Sequence, residues 1–86
     1  MASPPLDPED IRIGATIAAF RMMRGYTQDA LSSHREVLIS RAYLANIEAG
    51  RKRPSGRVIS RIAIALGVPQ IAIIRPDLVT TEEDAA

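Results

Sequence analysis

The sequence has no cysteine and no tryptophan, and its 86 residues include a single histidine, His34. Without cysteine, neither a disulfide framework nor a thiolate metal site can form, and nothing indicates an oxidising compartment, so we expect a reducing cytoplasm. One imidazole without nearby paired acids does not make a metal site, so a solvated histidine is expected and no metal or cofactor is predicted. The absence of a paired nucleophile and base argues against an enzyme.

Long apolar runs are also missing from the chain. No segment reaches the roughly 18 apolar residues of a membrane span, and the amino terminus has no basic segment followed by an apolar one. We therefore expect no membrane partner. A chain of this length forms one small domain with a marginal core, so a partner subunit is an expected source of added stability.

The formal net charge of +1 conceals a strong segregation of charge along the chain. Residues 1–11 and residues 75–86 each carry −3, whereas residues 12–74 carry +7, from ten basic and three acidic side chains. A basic central region between acidic ends favours a polyanionic partner, and an ordinary solvated surface is the alternative interpretation.

Five segments have helical signals and none has the period-two pattern of a strand, so the fold class is predicted to be all-α. The segments begin at capping or proline residues, and most end at glycine or proline. Their ranges are 8–24, a second helix that starts after Thr27, 41–49, 56–66 and 71–74. Residues 1–6 are predicted to be a flexible lead-in, residues 7–75 the folded domain and residues 76–86 a flexible acidic tail.

The stretch 40–54, SRAYLANIEAGRKRP, combines a capped helix with a basic loop. Ser40 suits the N-cap position, and Gly50 suits the left-handed residue that ends a helix. Leu44 and Ile47 lie three residues apart on one face of this helix, so the opposite face is free to contact a partner.

Several short motifs follow one another at characteristic spacings. They are Arg21 with Gly25, Thr27-Gln28, Ile47-Glu48, Gly50 with Pro54, and Ala65-Leu66-Gly67-Val68. Their order resembles that of the Cro-and-repressor (XRE-type) helix-turn-helix family, over residues 13–74. The resemblance implies a compact five-helix, lambda-repressor-like domain whose third helix enters the DNA major groove.

The segment between the second and third helices departs from this family pattern. Between Leu31 and Ser40 the chain has about two more residues than the family's usual turn, and it has no glycine there. The segment SSHREVLI, residues 32–39, either extends the second helix by half a turn or widens the turn. We favour the wider turn, in which Val37 and Ile39 take the places of the family's two apolar turn residues.

Three residues of the third helix are predicted to contact bases: Arg41, Ala42 and Asn46. In helix-turn-helix docking, the amino-terminal part of this helix reaches the base edges. An arginine fork suits guanine O6 and N7, asparagine suits adenine N6 and N7, and an alanine methyl can lie against a thymine methyl. An ordinary exposed helix face is the alternative for all three.

Six residues are predicted to contact phosphates: Gln28, Ser40, Tyr43, Arg51, Lys52 and Arg53. The last three project from a short loop before Pro54, with a solubilising charge run as the alternative. The resemblance implies that Gln28 binds a phosphate at the start of the second helix. A bond from Gln28 to Arg41, which only donates, would need the Gln28 carbonyl. For Tyr43, packing in the core is the equal alternative.

The resemblance further implies that Arg21 and Glu48 form a partly buried ion pair between the first and third helices. A homodimer interface is predicted at three isoleucines near the carboxyl end: Ile64, Ile71 and Ile73. Ile64 lies opposite the apolar face of its helix. Ile71 and Ile73 lie about 160° apart around theirs, so one of these two faces outward.

Together with the charge distribution, the resemblance implies a sequence-specific DNA-binding transcriptional regulator, a phage or bacterial repressor of the minimal Cro-like kind, that binds a palindromic operator as a homodimer. Only ten residues follow Pro76, too few for a further domain. The alternative is an antitoxin or adaptor that uses the same fold to hold a protein partner, which the acidic tail and the carboxyl-terminal isoleucines would suit. No small-molecule substrate is expected.

Overall fold

The computed structural model describes residues 5–78, and within them all regular structure is helical. Five α-helices follow one another, and a single turn of 3-10 helix follows the fifth. They are α1 (Pro8–Met23), α2 (Gln28–Ser33), α3 (Arg41–Glu48), α4 (Gly56–Leu66), α5 (Gln70–Ile74) and the 3-10 turn Pro76–Leu78. The prediction of a five-helix all-α domain is confirmed. Most of the predicted lead-in (residues 1–4) and of the acidic tail (residues 79–86) lie outside the described residues.

Side-chain caps explain where four of the helices begin. In each case an oxygen of the N-cap side chain accepts a backbone N–H of the first turn, at 2.7 to 3.3 Å. The caps are Asp7, Thr27, Ser40 and Ser55. Gly50 and Gly67 follow α3 and α4 with positive φ angles of 81° and 71°, which a glycine adopts without a steric penalty. Local chemistry alone therefore fixes most helix bounds.

The hydrophobic core collects side chains from every α-helix and from the turn before α3. It is formed by Ile13, Ile17, Leu31, Val37, Leu44, Ile47, Ile59, Ile62, Ala63, Leu66 and Ile73. Because Leu44 and Ile47 are both buried, the position of α3 is fixed by the same core that holds the other helices.

Gly14 allows α1 and α3 to pack unusually closely. A Cβ atom at this position would lie 2.1 Å from the carbonyl oxygen of Ile47 and 2.8 Å from that of Glu48. Real Cβ atoms do not approach backbone oxygens so closely, so any larger residue would push the two helices apart. This role was not predicted from the sequence. The position of Gly14 inside a helix could have indicated it, because an interior glycine lowers helix stability by about 1 kcal/mol relative to alanine and therefore suggests a packing constraint.

The turn between α2 and α3 is the wider of the two forms considered. Helix α2 ends at Ser33, and the backbone N–H of Ile39 donates to the carbonyl of Ser32 at 3.0 Å. Val37 is fully buried beneath this turn, and Ile39 packs against the edge of the core. Leu38 has a φ angle of 53° and is exposed, so a leucine takes a left-handed conformation that normally favours glycine.

The structure corrects one residue of the predicted dimer surface. Ile73 is fully buried in the core, whereas Ile64 and Ile71 are 59% and 44% exposed. Helical periodicity alone does not decide which of Ile71 and Ile73 faces outward. In the structure, α5 packs against α1 and α4, and this packing buries Ile73. Ile73 is therefore a core residue, and only the other two can contribute to a surface.

Candidate nucleic-acid interface

The outward face of α3 is lined by small side chains. With Leu44 and Ile47 inward, a spacing of 100° per residue places Ala42 and Ala49 at the centre of the opposite face, with Ala45 and Asn46 about 50° to either side of it. Ala42 and Ala49 are exposed and Ala45 is half-buried. Because alanine side chains are short, the backbone of α3 can come close to the base edges in the DNA major groove, which is wide enough to admit an α-helix. Of these alanines, only Ala42 was predicted as a contact.

Arg41 lies at the amino-terminal edge of this face, beside Asp29 of α2. Its Nε lies 3.8 Å from Asp29 Oδ1, and both side chains are largely exposed. Exposed pairs of this kind contribute about 0 to 1 kcal/mol, so a nucleic acid can compete for the guanidinium at little cost. The amino-terminal arginine is thus available for a base or a phosphate.

Gln28 does not bond to Arg41. Its Nε2 donates instead to Glu48 Oε1 at 3.0 Å. The Glu48 side chain at the far end of α3 lies within reach of the start of α2 and supplies an acceptor for the Gln28 N–H, whereas Arg41 can only donate. One amide N–H of Gln28 is therefore engaged within the protein, while its carbonyl and second N–H have no side-chain partner among residues 5–78.

Glu48 is the centre of a buried polar network that joins the first three helices. Arg21 donates to both of its oxygens, from Nε at 2.7 Å and from Nη2 at 3.1 Å. Arg21 Nη1 also donates to the carbonyl of Tyr26 at 2.9 Å. The side chains of Arg21 and Glu48 are only 14% and 7% exposed, so this ion pair fixes the carboxyl-terminal end of α3 and is not free to bind DNA.

Asn46 and Arg51 are joined directly, although the sequence analysis gave them separate roles. Arg51 Nε donates to Asn46 Oδ1 at 2.8 Å. The backbone N–H groups of Arg51 and Lys52 both donate to the backbone carbonyl of Asn46, at 2.9 and 3.3 Å. The loop after α3 is therefore anchored on Asn46, and the Arg51 guanidinium is held beside the outward face of the helix.

The three cations of this loop do not share one environment. Arg51 and Lys52 have no acidic partner among residues 5–78, whereas Arg53 pairs with Asp10 and lies 3.6 Å from Asp7. The hydrogen bond with Asp10 is the main reason that the pKa of Arg53 lies above its usual value. The prediction that all three contact phosphates stays a prediction; Arg53, whose side chain is half exposed, also ties the loop to the start of α1.

Ser40 and Tyr43 lie at the start of α3. Ser40 Oγ accepts the backbone N–H of Tyr43 at 3.0 Å, which leaves its own O–H free to donate to a phosphate. Tyr43 is half-buried and packs against the core cluster, so its ring takes part in the packing. Both predicted phosphate residues thus have structural roles as well.

Within residues 5–78, no group of three or more histidine or acidic side chains is arranged to hold a metal ion. None of the helices found there has the length and apolar character needed to cross a membrane.

A short helix, a turn and a second helix with an exposed face, followed by a basic loop, define a helix-turn-helix nucleic-acid-binding domain. The chain belongs to the helix-turn-helix family HTH_3, whose family model matches residues 17–69.

Named relatives agree with this family. The chain is 37% identical over 73 residues to the immunity repressor protein of Bacillus phage phi105, covering 85% of this chain and 49% of that protein. It is 30% identical over 64 residues to the uncharacterized HTH-type transcriptional regulator y4dJ of Sinorhizobium fredii, covering 74% of this chain and 80% of that one. The chain thus spans about half the length of the phage repressor.

The fold also matches a solved regulator. Superposition on the clp gene regulator ClgR from Corynebacterium glutamicum gives a TM-score of 0.72 at 28% identity, covering 80% of this chain and 71% of that one. The family match and these relatives together support DNA-binding regulation of transcription, a function without a catalytic step.

Proposed function

We propose that this protein is a sequence-specific DNA-binding regulator of transcription that inserts α3 into the major groove of an operator. The observation that carries the proposal is the outward face of α3, which carries alanine side chains and has Arg41 and Arg51 beside it. The major groove admits an α-helix, and the two arginines supply hydrogen-bond donors for base edges and phosphates. A repressor in the cytoplasm of a bacterium is the favoured role, because the named relatives are phage and bacterial regulators.

The proposed DNA contact of each residue follows from its position along α3 and the adjoining loop. Arg41 and Ala42 would contact base edges at the amino-terminal end of α3, and Asn46 would do so one turn later. Ser40, Gln28 and Tyr43 would contact phosphates around the start of α3, and Arg51 and Lys52 would hold the backbone beyond its end. Arg53 would support the loop through Asp10 and, because its side chain is half exposed, would also contact a phosphate.

The first test separates specificity from general affinity. Arg41→Ala is expected to weaken operator binding by about 1–3 kcal/mol and to relax the preference at one base pair, because a bidentate contact is lost. Lys52→Ala is expected to weaken binding to every sequence alike. Competition titrations against a panel of single-base operator variants measure both effects. Equal losses on every sequence for Arg41→Ala would contradict its assignment to a base.

We further propose a two-fold dimer through Ile64 of α4 and Ile71 of α5, bound to a palindromic operator. Both side chains are exposed, and each lies on a helix whose opposite face packs in the core. An isologous contact here would place two α3 helices on half-sites one DNA turn, about 34–36 Å, apart.

Sedimentation of variants tests this interface. Ile64→Asp and Ile71→Asp are expected to dissociate the dimer, because each would bury an unpaired carboxylate. Met22→Asp is the matched control, since Met22 is at least as exposed as either isoleucine but lies on α1. A wild type that stays monomeric at high micromolar concentration and binds a half-site as tightly as a palindrome would contradict the dimer.

The second candidate function is an adaptor or antitoxin that holds a protein partner. One observation favours it: Met22 and Met23 are both largely exposed at the end of α1. Binding that is insensitive to salt and to the Lys52→Ala substitution would favour this function over DNA binding.

A further inference from the structure

The contact between Asn46 and Arg51 changes what this part of α3 can recognise. A free asparagine offers one carbonyl acceptor and one amide donor, and that combination matches adenine, which presents the N6 donor and the N7 acceptor. In this protein the Asn46 carbonyl already accepts from Arg51 Nε at 2.8 Å. The pairing with adenine would therefore require this bond to be broken or shared.

The guanidinium also alters the charge beside the Asn46 carbonyl. An adenine N6 amino group approaching that carbonyl would meet another donor that carries a full positive charge. Guanine presents the acceptors O6 and N7 side by side at the same edge. The Asn46 amide N–H groups and the remaining N–H groups of Arg51 all donate, so the pair as a whole complements two acceptors.

Backbone hydrogen bonds keep the start of the loop beside Asn46. The main-chain carbonyl of Asn46 accepts the backbone N–H groups of Arg51 and Lys52, and the exposed side-chain Oδ1 of Asn46 accepts from Arg51 Nε. Arg51 has no acidic partner among residues 5–78 that would draw its guanidinium elsewhere. The side chain of the next residue, Lys52, makes no hydrogen bond to the Asn46 side chain, so a substitution of Lys52 is a suitable control for a substitution of Arg51.

We infer that Asn46 and Arg51 act as one donor unit that selects guanine over adenine at the operator position facing the carboxyl-terminal half of α3. This rests on the proposed function and replaces the assignment of Asn46 to adenine. Arg51 thereby becomes a specificity-determining residue as well as a phosphate contact.

The test is a double-mutant cycle on the operator recovered by randomised-site selection. Wild type is expected to prefer guanine over adenine about tenfold at one position, within the range of a good bidentate contact. Asn46→Ala, Arg51→Ala and the double variant are each expected to abolish this preference, with the double variant no worse than the worse single one. Replacing that guanine with 7-deazaguanine, which lacks the N7 acceptor, should weaken wild-type binding and leave the Asn46→Ala variant unaffected.

Two controls separate positioning from charge. Arg51→Lys keeps the positive charge but not the planar fork, so the guanine preference should fall while the salt dependence stays the same. Lys52→Ala should weaken binding to the guanine and adenine operators equally. A guanine preference that survives in Asn46→Ala, losses that add in the double variant, or a wild-type preference for adenine would each overturn the pairing while leaving DNA binding intact. A wild type that binds no duplex would overturn the proposed function itself.

Discussion

Glu48→Ala is expected to destabilise the protein by about 3–5 kcal/mol, a large part of the total stability of a domain of this size. The substitution removes the two carboxylate oxygens that accept from Arg21, one of which also accepts from Gln28. Because Arg21 is mostly buried, its charge would be left without a partner in a poorly solvated site. Urea unfolding followed by circular dichroism measures the loss.

The exposed ion pair of the same domain supplies the control. Asp29→Ala removes the partner of Arg41, and we expect a change within about 1 kcal/mol because both side chains are solvated. Replacing Arg21 and Glu48 together with Met and Leu should recover much of the stability, since no buried charge remains. A Glu48→Ala variant as stable as Asp29→Ala would show that the network does not hold α3 in place.

Gly14→Ala is expected to cost about 3 kcal/mol or more, although alanine favours a helix by about 1 kcal/mol over glycine. The added methyl group would overlap the carbonyl oxygens of Ile47 and Glu48, which are backbone atoms and cannot rotate away. Relief requires α1 and α3 to separate, so we expect operator affinity to fall together with stability. Thermal unfolding and anisotropy titration of the same preparation measure the two effects.

Gly56→Ala is the matched control for this substitution. Gly56 begins α4, and a Cβ atom there would meet nothing within 4 Å. The alanine variant should therefore be as stable as wild type or slightly more stable. If Gly14→Ala and Gly56→Ala behave alike, the close packing of α1 on α3 is not what positions the recognition helix.

The helix bounds could be predicted from sequence because the signals that set them are local. Asp7, Thr27, Ser40 and Ser55 each cap a helix within three residues of their own position. The choice of the wider turn before α3 also rested on the local pattern of apolar residues. These interactions need no knowledge of the tertiary fold.

The partners of the polar side chains could not be predicted in the same way. Arg53 pairs with Asp10, which lies 43 residues away in the chain, and Gln28 donates to Glu48 at a separation of 20 residues. Ile71 and Ile73 lie on nearly opposite sides of a five-residue helix, and only its packing decides which is buried. In each case the deciding contact comes from another element.

DNA binding by α3 and the loop that follows it is the activity on which all of the proposed residue roles depend. The salt dependence of binding to the selected operator tests it most directly, because log K falls by about 0.9 per unit of log salt for each phosphate neutralised. Three phosphates per subunit predict a slope of about −5 for a dimer, and Lys52→Ala should reduce its magnitude by about 2. A slope near zero, with no sequence enriched by the selection, would contradict the account and favour a protein partner.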